Sequence, residues 1–108
     1  MKSKRSKACD IPKSVREKVW LRHSGQCLFC GERGTDYAHY ISRSNGGLGI
    51  EENIVLLCRK CHFELDQTTK RKDLLQIVKR YLVVKYPLFK DGDRVYKKYD
   101  WSDYDREN

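Results

Sequence analysis

Apolar positions in this chain change period from one stretch to the next. Val15 and Val19 stand one turn apart, and Trp20 widens the stripe. That predicts a helix that starts behind Asp10 and Pro12 and stops by Gly25. Tyr37 to Ile41 reads as a short strand, and the β-branched apolar run Ile54, Val55, Leu56, Leu57 as a second. Residues 42–49 between them are rich in Gly, Ser and Asn and read as a loop. A helix is expected near Cys61, carrying His62 through Asp66. Leu74, Ile77, Val78, Tyr81 and Leu82 then follow an i, i+3, i+4, i+7, i+8 spacing. This predicts a longer amphipathic helix, capped by Thr68 or Thr69 and ended by Pro87. The order strand, loop, strand, helix, with a helix on either side, is that of a small α+β domain.

The ends have no such period. Residues 1–9 are expected to be unstructured, with Cys9 a bystander thiol. Residues 88–108 set Phe89, Tyr96, Tyr99, Trp101 and Tyr104 among charges. Such a tail either docks onto the domain or stacks on bases. The chain therefore divides into a flexible basic arm (1–10), a domain with its flanking helices (11–87) and an aromatic, charged tail (88–108).

With 108 residues there is room for one small domain, and with only 39% of them apolar its core calls for a staple. The five cysteines offer one. Cys27 and Cys30 form one Cys-x-x-Cys pair, and Cys58 and Cys61 another. Two such pairs can close a tetrahedral Cys₄ site for structural Zn²⁺. Thiolates used in this way must stay reduced, and no apolar signal-peptide core follows the basic start. A cytoplasmic protein is expected, and no apolar run is long enough to cross a bilayer. The formal charge of +8 favours a polyanionic partner. The excess is concentrated at the start, in Lys2, Lys4, Arg5 and Lys7. Arg43, Arg59 and Lys60 are further candidates to touch a phosphate backbone, positioning the protein without reading bases.

The zinc pairs frame His39 and Asn53, and the second pair runs into His62. Hydrolysis of a phosphodiester needs a base for water and a metal for the developing charge. His39 is the candidate base, since an ordinary imidazole titrates near neutrality. With four thiolates filling the zinc shell, His62 is free for a second metal. Asp66, at i+4 on the same helix face, can complete a two-donor site for Mg²⁺ or Mn²⁺. Asn53 can brace the loop and hold His39 in place.

Cys27-x-x-Cys30, His39-Tyr-Ile-Ser-Arg-Ser-Asn-Gly46-Gly47 and Asn53-Ile-Val-Leu-Leu-Cys58-x-x-Cys61-His62 together resemble the HNH endonuclease family in its four-cysteine, zinc-containing form. The resemblance covers about residues 11–67. It implies a ββα-metal fold and metal-dependent nicking or cleavage of DNA, with weak sequence preference the default. It also implies His39 as general base, Asn53 as positioning residue and His62 as catalytic-metal ligand. The alternative is a zinc module that binds nucleic acid or protein without catalysis. Family members usually place a metal-ligating Asp or His directly before the base. Here that residue is Ala38, and Asp66 or Asp36 is the candidate replacement. The spacing from His39 to the glycine pair favours this register over one that puts Tyr40 at the base position.

Overall fold

The computed structural model describes residues 2–97. Its regular elements are α1 (Lys4–Cys9), α2 (Lys13–Arg22), β1 (Asp36–His39), β2 (Ile54–Leu57), α3 (Arg59–Gln67) and α4 (Arg71–Lys85). Short 3₁₀ turns cover Arg43–Asn45, Glu51–Asn53 and Asp91–Arg94. The architecture is α+β, with a β–β–α unit at its centre.

The two strands pair antiparallel, Asp36 opposite Leu57 and His39 opposite Ile54. All four residues of β2 are buried. Val55 and Leu57 pack with Ala38, Cys61, Leu65, Val78 and Leu82 toward α3 and α4. Ile54 and Leu56 pack with Val19, Val15, Ile11 and Tyr37 toward α2. With both faces covered, β2 has no polar side, and its sequence reads as an unbroken apolar run. Each such side chain contributes roughly 1.5–3 kcal/mol by leaving water.

β1 is shorter than the expected Tyr37–Ile41. Its ladder ends where Tyr40 N–H reaches the Asn53 carbonyl at 2.8 Å. The next amide, of Ile41, goes to the Asn53 side chain instead. α3 starts two residues ahead of expectation because Cys58 acts as its N-cap, with Sγ accepting from Cys61 N–H. α4 starts at Arg71 behind Lys70, not at a threonine cap. Thr68 Oγ1 donates to the Glu64 carbonyl and accepts from Lys70 N–H. Pro12, not Asp10, precedes α2 as its N-cap. Trp20 stays half exposed, its ring lying over Gly25, and Ile77 is likewise half exposed on α4.

The largest departure lies at the start. Residues 4–9 form a helix where a flexible arm was expected. Ser3 caps it, Arg5 donates to the Ser44 carbonyl at 2.9 Å, and Cys9 is 2% exposed. These long-range contacts have no counterpart in local periodicity. After α4 the chain turns back and is pinned by Arg94, which is 1% exposed. Arg94 Nε donates to the Glu52 carbonyl at 2.6 Å, and its guanidinium lies over the rings of Tyr40 and Phe89. Tyr99, Trp101 and Tyr104 lie outside the described residues. No helix among the described residues is long and apolar enough to cross a membrane.

Candidate active site and metal centre

The two cysteine pairs meet although 27 residues separate Cys30 from Cys58. β2 delivers Cys58 to the first turn of α3, and Cys27 is held beside it by hydrogen bonds such as Leu28 N–H to the Leu56 carbonyl at 3.0 Å. The four sulfurs lie within 4.8 Å of one another. Cys30 and Cys58 are 3.6 Å apart, close to the edge of about 3.8 Å that a tetrahedron with 2.3 Å Zn–S bonds requires. Burial opposes ionisation of Cys27, but the backbone N–H groups of Cys30, Cys58 and Phe29 outweigh it and bring its thiol down to about 7. A thiol that ionises near neutrality suits a metal ligand. The donor set fits Zn²⁺ and is closed, with no fifth position needed.

His62, next in sequence to Cys61, turns its ring away from the sulfurs. Nδ1 lies 3.0 Å from Asp36 Oδ2, and Nε2 lies 3.1 Å from Asp66 Oδ2. Both carboxylates named from sequence therefore reach the same imidazole from opposite sides. Asp36 needs no long reach along the strand, because α3 crosses β1 at Asp36 itself. A neutral imidazole has one N–H and one lone pair. One ring nitrogen can thus donate to a carboxylate while the other joins the second carboxylate as a donor pair for a cation. Asp66 Oδ1 also lies 3.4 Å from Arg71, and Asp36 Oδ1 lies 3.6 Å from Arg59.

His39 comes from the opposite face of β1 but opens into the same cleft. The cleft is about 870 Å³ and is lined by His39, His62, Asp66, Tyr37 and Asp10, with Lys2, Arg16, Arg43 and Arg71 around it. His39 Nε2 lies 2.9 Å from the carbonyl oxygen of Cys9. A carbonyl only accepts, so Nε2 carries the hydrogen and Nδ1 keeps the lone pair. Burial holds the His39 pKa below its ordinary value despite the opposing hydrogen bond to the Cys9 carbonyl, and the charge of Arg43 acts in the same direction as burial. The ring is therefore mostly neutral at pH 7.

Asn53 is fully buried. Its Oδ1 accepts from Ile41 N–H at 2.9 Å, and its Nδ2 donates to the carbonyls of Ile41 and Leu48. It braces the loop after His39 and does not bond to the ring. Gly47 sits in the same loop so close to the Ile41 carbonyl that a Cβ would lie 1.6 Å from its oxygen. The asparagine and the glycine thus shape one turn.

Two positions singled out in the sequence are engaged within the protein. Ala38 is 2% exposed within the core cluster. Position 38 is a packing position in the core. Arg43 was expected among the phosphate contacts. Its Nη1 donates to the Cys9 carbonyl at 2.7 Å, and its Nη2 pairs with Asp10 at 2.9 Å. Its donors are engaged within the protein. Arg59 and Lys60 remain exposed on the first turn of α3. Tyr40 points elsewhere, its hydroxyl donating to Asp91 Oδ2 at 3.1 Å, so it is not an alternative to His39. Sequence reasoning missed the Cys9 carbonyl, which no side-chain pattern encodes. It also missed Arg71, which looks like one more cation on a charged helix start.

A comparison with curated proteins gave no match. Residues 27–66 match the family model described as HNH endonuclease. That span runs from the first zinc-pair cysteine to the carboxylate beside His62, and takes in both histidines, Asn53 and all four clustered sulfurs. Over residues 27–66 this chain is accordingly similar to the HNH endonuclease family, and the same span holds the four clustered cysteines.

Proposed function

We propose that this protein is a metal-dependent endonuclease that hydrolyses DNA phosphodiester bonds with little sequence preference. The observation that carries the reading is the placement of a neutral histidine with a free Nδ1 in the same cationic cleft as the His62–Asp66 donor pair. His39 takes the proton of the attacking water at Nδ1, so that the water oxygen can bond to phosphorus as the leaving oxygen departs. His62 Nε2 and Asp66 would hold Mg²⁺ or Mn²⁺, with Asp36 accepting the N–H at Nδ1 of His62 and fixing that ring. This follows the usual pattern of a metal-ligating histidine, whose second nitrogen donates to a carboxylate. When bound, the divalent ion supplies positive charge to the phosphoryl and leaving oxygens.

The choice of Asp66 over Asp36 as ligand follows from position. Asp66 lines the large cleft with His39, whereas Asp36 lines only a smaller neighbouring pocket that Asp66 shares. Asn53 keeps the loop after His39 in shape. Zn²⁺ in the four-cysteine site is structural, anchoring α3 and with it His62. Lys2, Arg16 and Arg71 border the cleft, Lys2 paired with Asp10 and Arg71 with Asp66, and their positive charge favours a phosphate backbone there.

The test is plasmid relaxation with and without Mn²⁺ or Mg²⁺. Cleavage that depends on the divalent ion is expected. His39→Ala should reduce it about 10²–10⁴-fold, the ordinary contribution of a general base, with zinc content unchanged. DNA binding without any ion-dependent cleavage would leave a zinc-stabilised binding module.

A further inference from the structure

We infer that helix α1 and Arg43 together form a positioning device for His39, so that a segment outside the family-matched residues completes the catalytic site. The inference rests on the nuclease reading, and it assigns Arg43 a new part as a positioning residue.

The Cys9 carbonyl oxygen is the centre of the device. It accepts from His39 Nε2 at 2.9 Å and from Arg43 Nη1 at 2.7 Å. A carbonyl has two lone pairs, and both are used. Arg43 Nη2 then reaches Asp10 Oδ1 at 2.9 Å and the Ser6 carbonyl at 3.4 Å. One guanidinium from the loop after β1 therefore grips the C-terminal end of α1 at three points and fixes the carbonyl that fixes His39. The rest of the docking runs along the same loop. Arg5 donates to the Ser44 carbonyl, and Gly49 N–H donates to the Ala8 carbonyl at 3.0 Å.

A six-residue helix does not persist in water on its own. α1 exists because it is docked, and the acceptor for His39 exists because α1 is there. Without that acceptor the imidazole is free to place its hydrogen on Nδ1 or to turn, and either change removes the lone pair from the cleft. The groups that α1 brings to His39 lie outside the zinc domain, which supplies Arg43, Ser44, Gly49 and His39 itself, so the device can fail while the domain stays folded.

Two substitutions in the full chain separate the device from the fold. Arg43→Met removes the grip and keeps the length of the side chain. Gly49→Ala acts from outside the cleft. A Cβ at position 49 would lie 1.8 Å from the Asp10 carbonyl oxygen, so α1 must shift. The ring ¹⁵N spectrum of His39 at pH 8 should show the Nε2–H tautomer in the parent. Both variants should show a second, Nδ1–H population. In each, the cleavage rate at saturating DNA should fall about ten- to hundred-fold, the scale of a misplaced reacting group. Zinc content and DNA affinity should stay within a few-fold of the parent. Arg43→Lys keeps one donor for the Cys9 carbonyl and should recover part of the rate and of the tautomer. A parent-like tautomer in both variants overturns the inference, as does an unchanged rate beside a changed tautomer. If the parent shows no cleavage, the nuclease reading fails, and the ring spectrum still decides whether α1 positions His39.

Discussion

His62 is held between two aspartates, and the two are not equivalent. Asp66 shares its helix face and its cleft, while Asp36 sits across the strand, 16% exposed and also bonded to Thr35. If Asp66 is the metal ligand and Asp36 the orienting partner, their amide variants should separate. Asp66→Asn should raise the Mn²⁺ concentration for half-maximal cleavage, because a neutral amide is a weaker donor for a hard cation. Asp36→Asn should chiefly lower the maximal rate, with a smaller shift in metal dependence. Titrating Mn²⁺ against cleavage in both variants checks this, and the reversed pattern would exchange their roles. The acidic limb of the parent rate profile should have its midpoint below 6.5. His39 must be neutral to act, and burial keeps its pKa under that of a free imidazole.

Between elements, α2 is joined to α4 and to the turn ahead of β2 through Arg22. Its guanidinium donates to Tyr81 and Tyr86 hydroxyls at 2.9 Å and to the Glu51 carbonyl at 2.7 Å. His23 stacks on Tyr81 with ring centroids 4.9 Å apart, and its Nε2 lies 3.2 Å from Arg22 Nη2. A guanidinium only donates, so Nε2 there must hold a lone pair. Burial, with the charges of Arg22 and Lys85, lowers the His23 pKa to about 4. The unfolded chain, with a histidine pKa near 6.5, therefore binds more protons than the folded one between these values. Stability from this seam is complete above about pH 6.5 and is lost as pH falls toward 4. Thermal unfolding followed between pH 7 and 4.5 should show a falling Tm, and His23→Gln should flatten part of that fall. An identical slope in the variant would remove His23 from the account.

The elements themselves were largely legible. β2 stood out because both of its faces are buried, and α3 because the cysteine spacing starts a helix. What could not be read is the set of contacts made by backbone atoms. Asn53 was read as a brace for the loop and for His39, but its particular grip on Ile41 and Leu48 has no local signal. α1 has no apolar stripe, and its docking depends on carbonyls and glycines dozens of residues away. Asp36 and Ala38 share one face of β1, and only the path of α3 decides that Asp36 is the one to meet His62.

For the whole molecule, one cluster governs the fold. The first knuckle and α3 are tied at the sulfurs, and α3 in turn carries His62 and packs against β1, β2 and α4. Folding of so small a metal domain is coupled to metal binding. Cys58→Ser should abolish stoichiometric zinc and the cooperative thermal transition together, since it removes both a ligand and the N-cap of α3. Full zinc content with a parent-like melt would refute the structural assignment.

The same cluster has an unguarded corner. Cys30 is exposed, and its sulfur faces that of Cys58, from the other half of the domain. While Zn²⁺ occupies the site, neither thiolate is available to an oxidant. Once a chelator takes the ion, the two thiols are free to lose two electrons and two protons to peroxide and close a cross-link. Only three of the five thiols would then answer a thiol reagent under denaturing conditions. Apoprotein held in peroxide should refuse zinc until a reductant is added, whereas apoprotein kept under reductant should reload at once. Metal loss under oxidising conditions is thus a ratchet, and oxidised apoprotein takes up zinc again only after reduction.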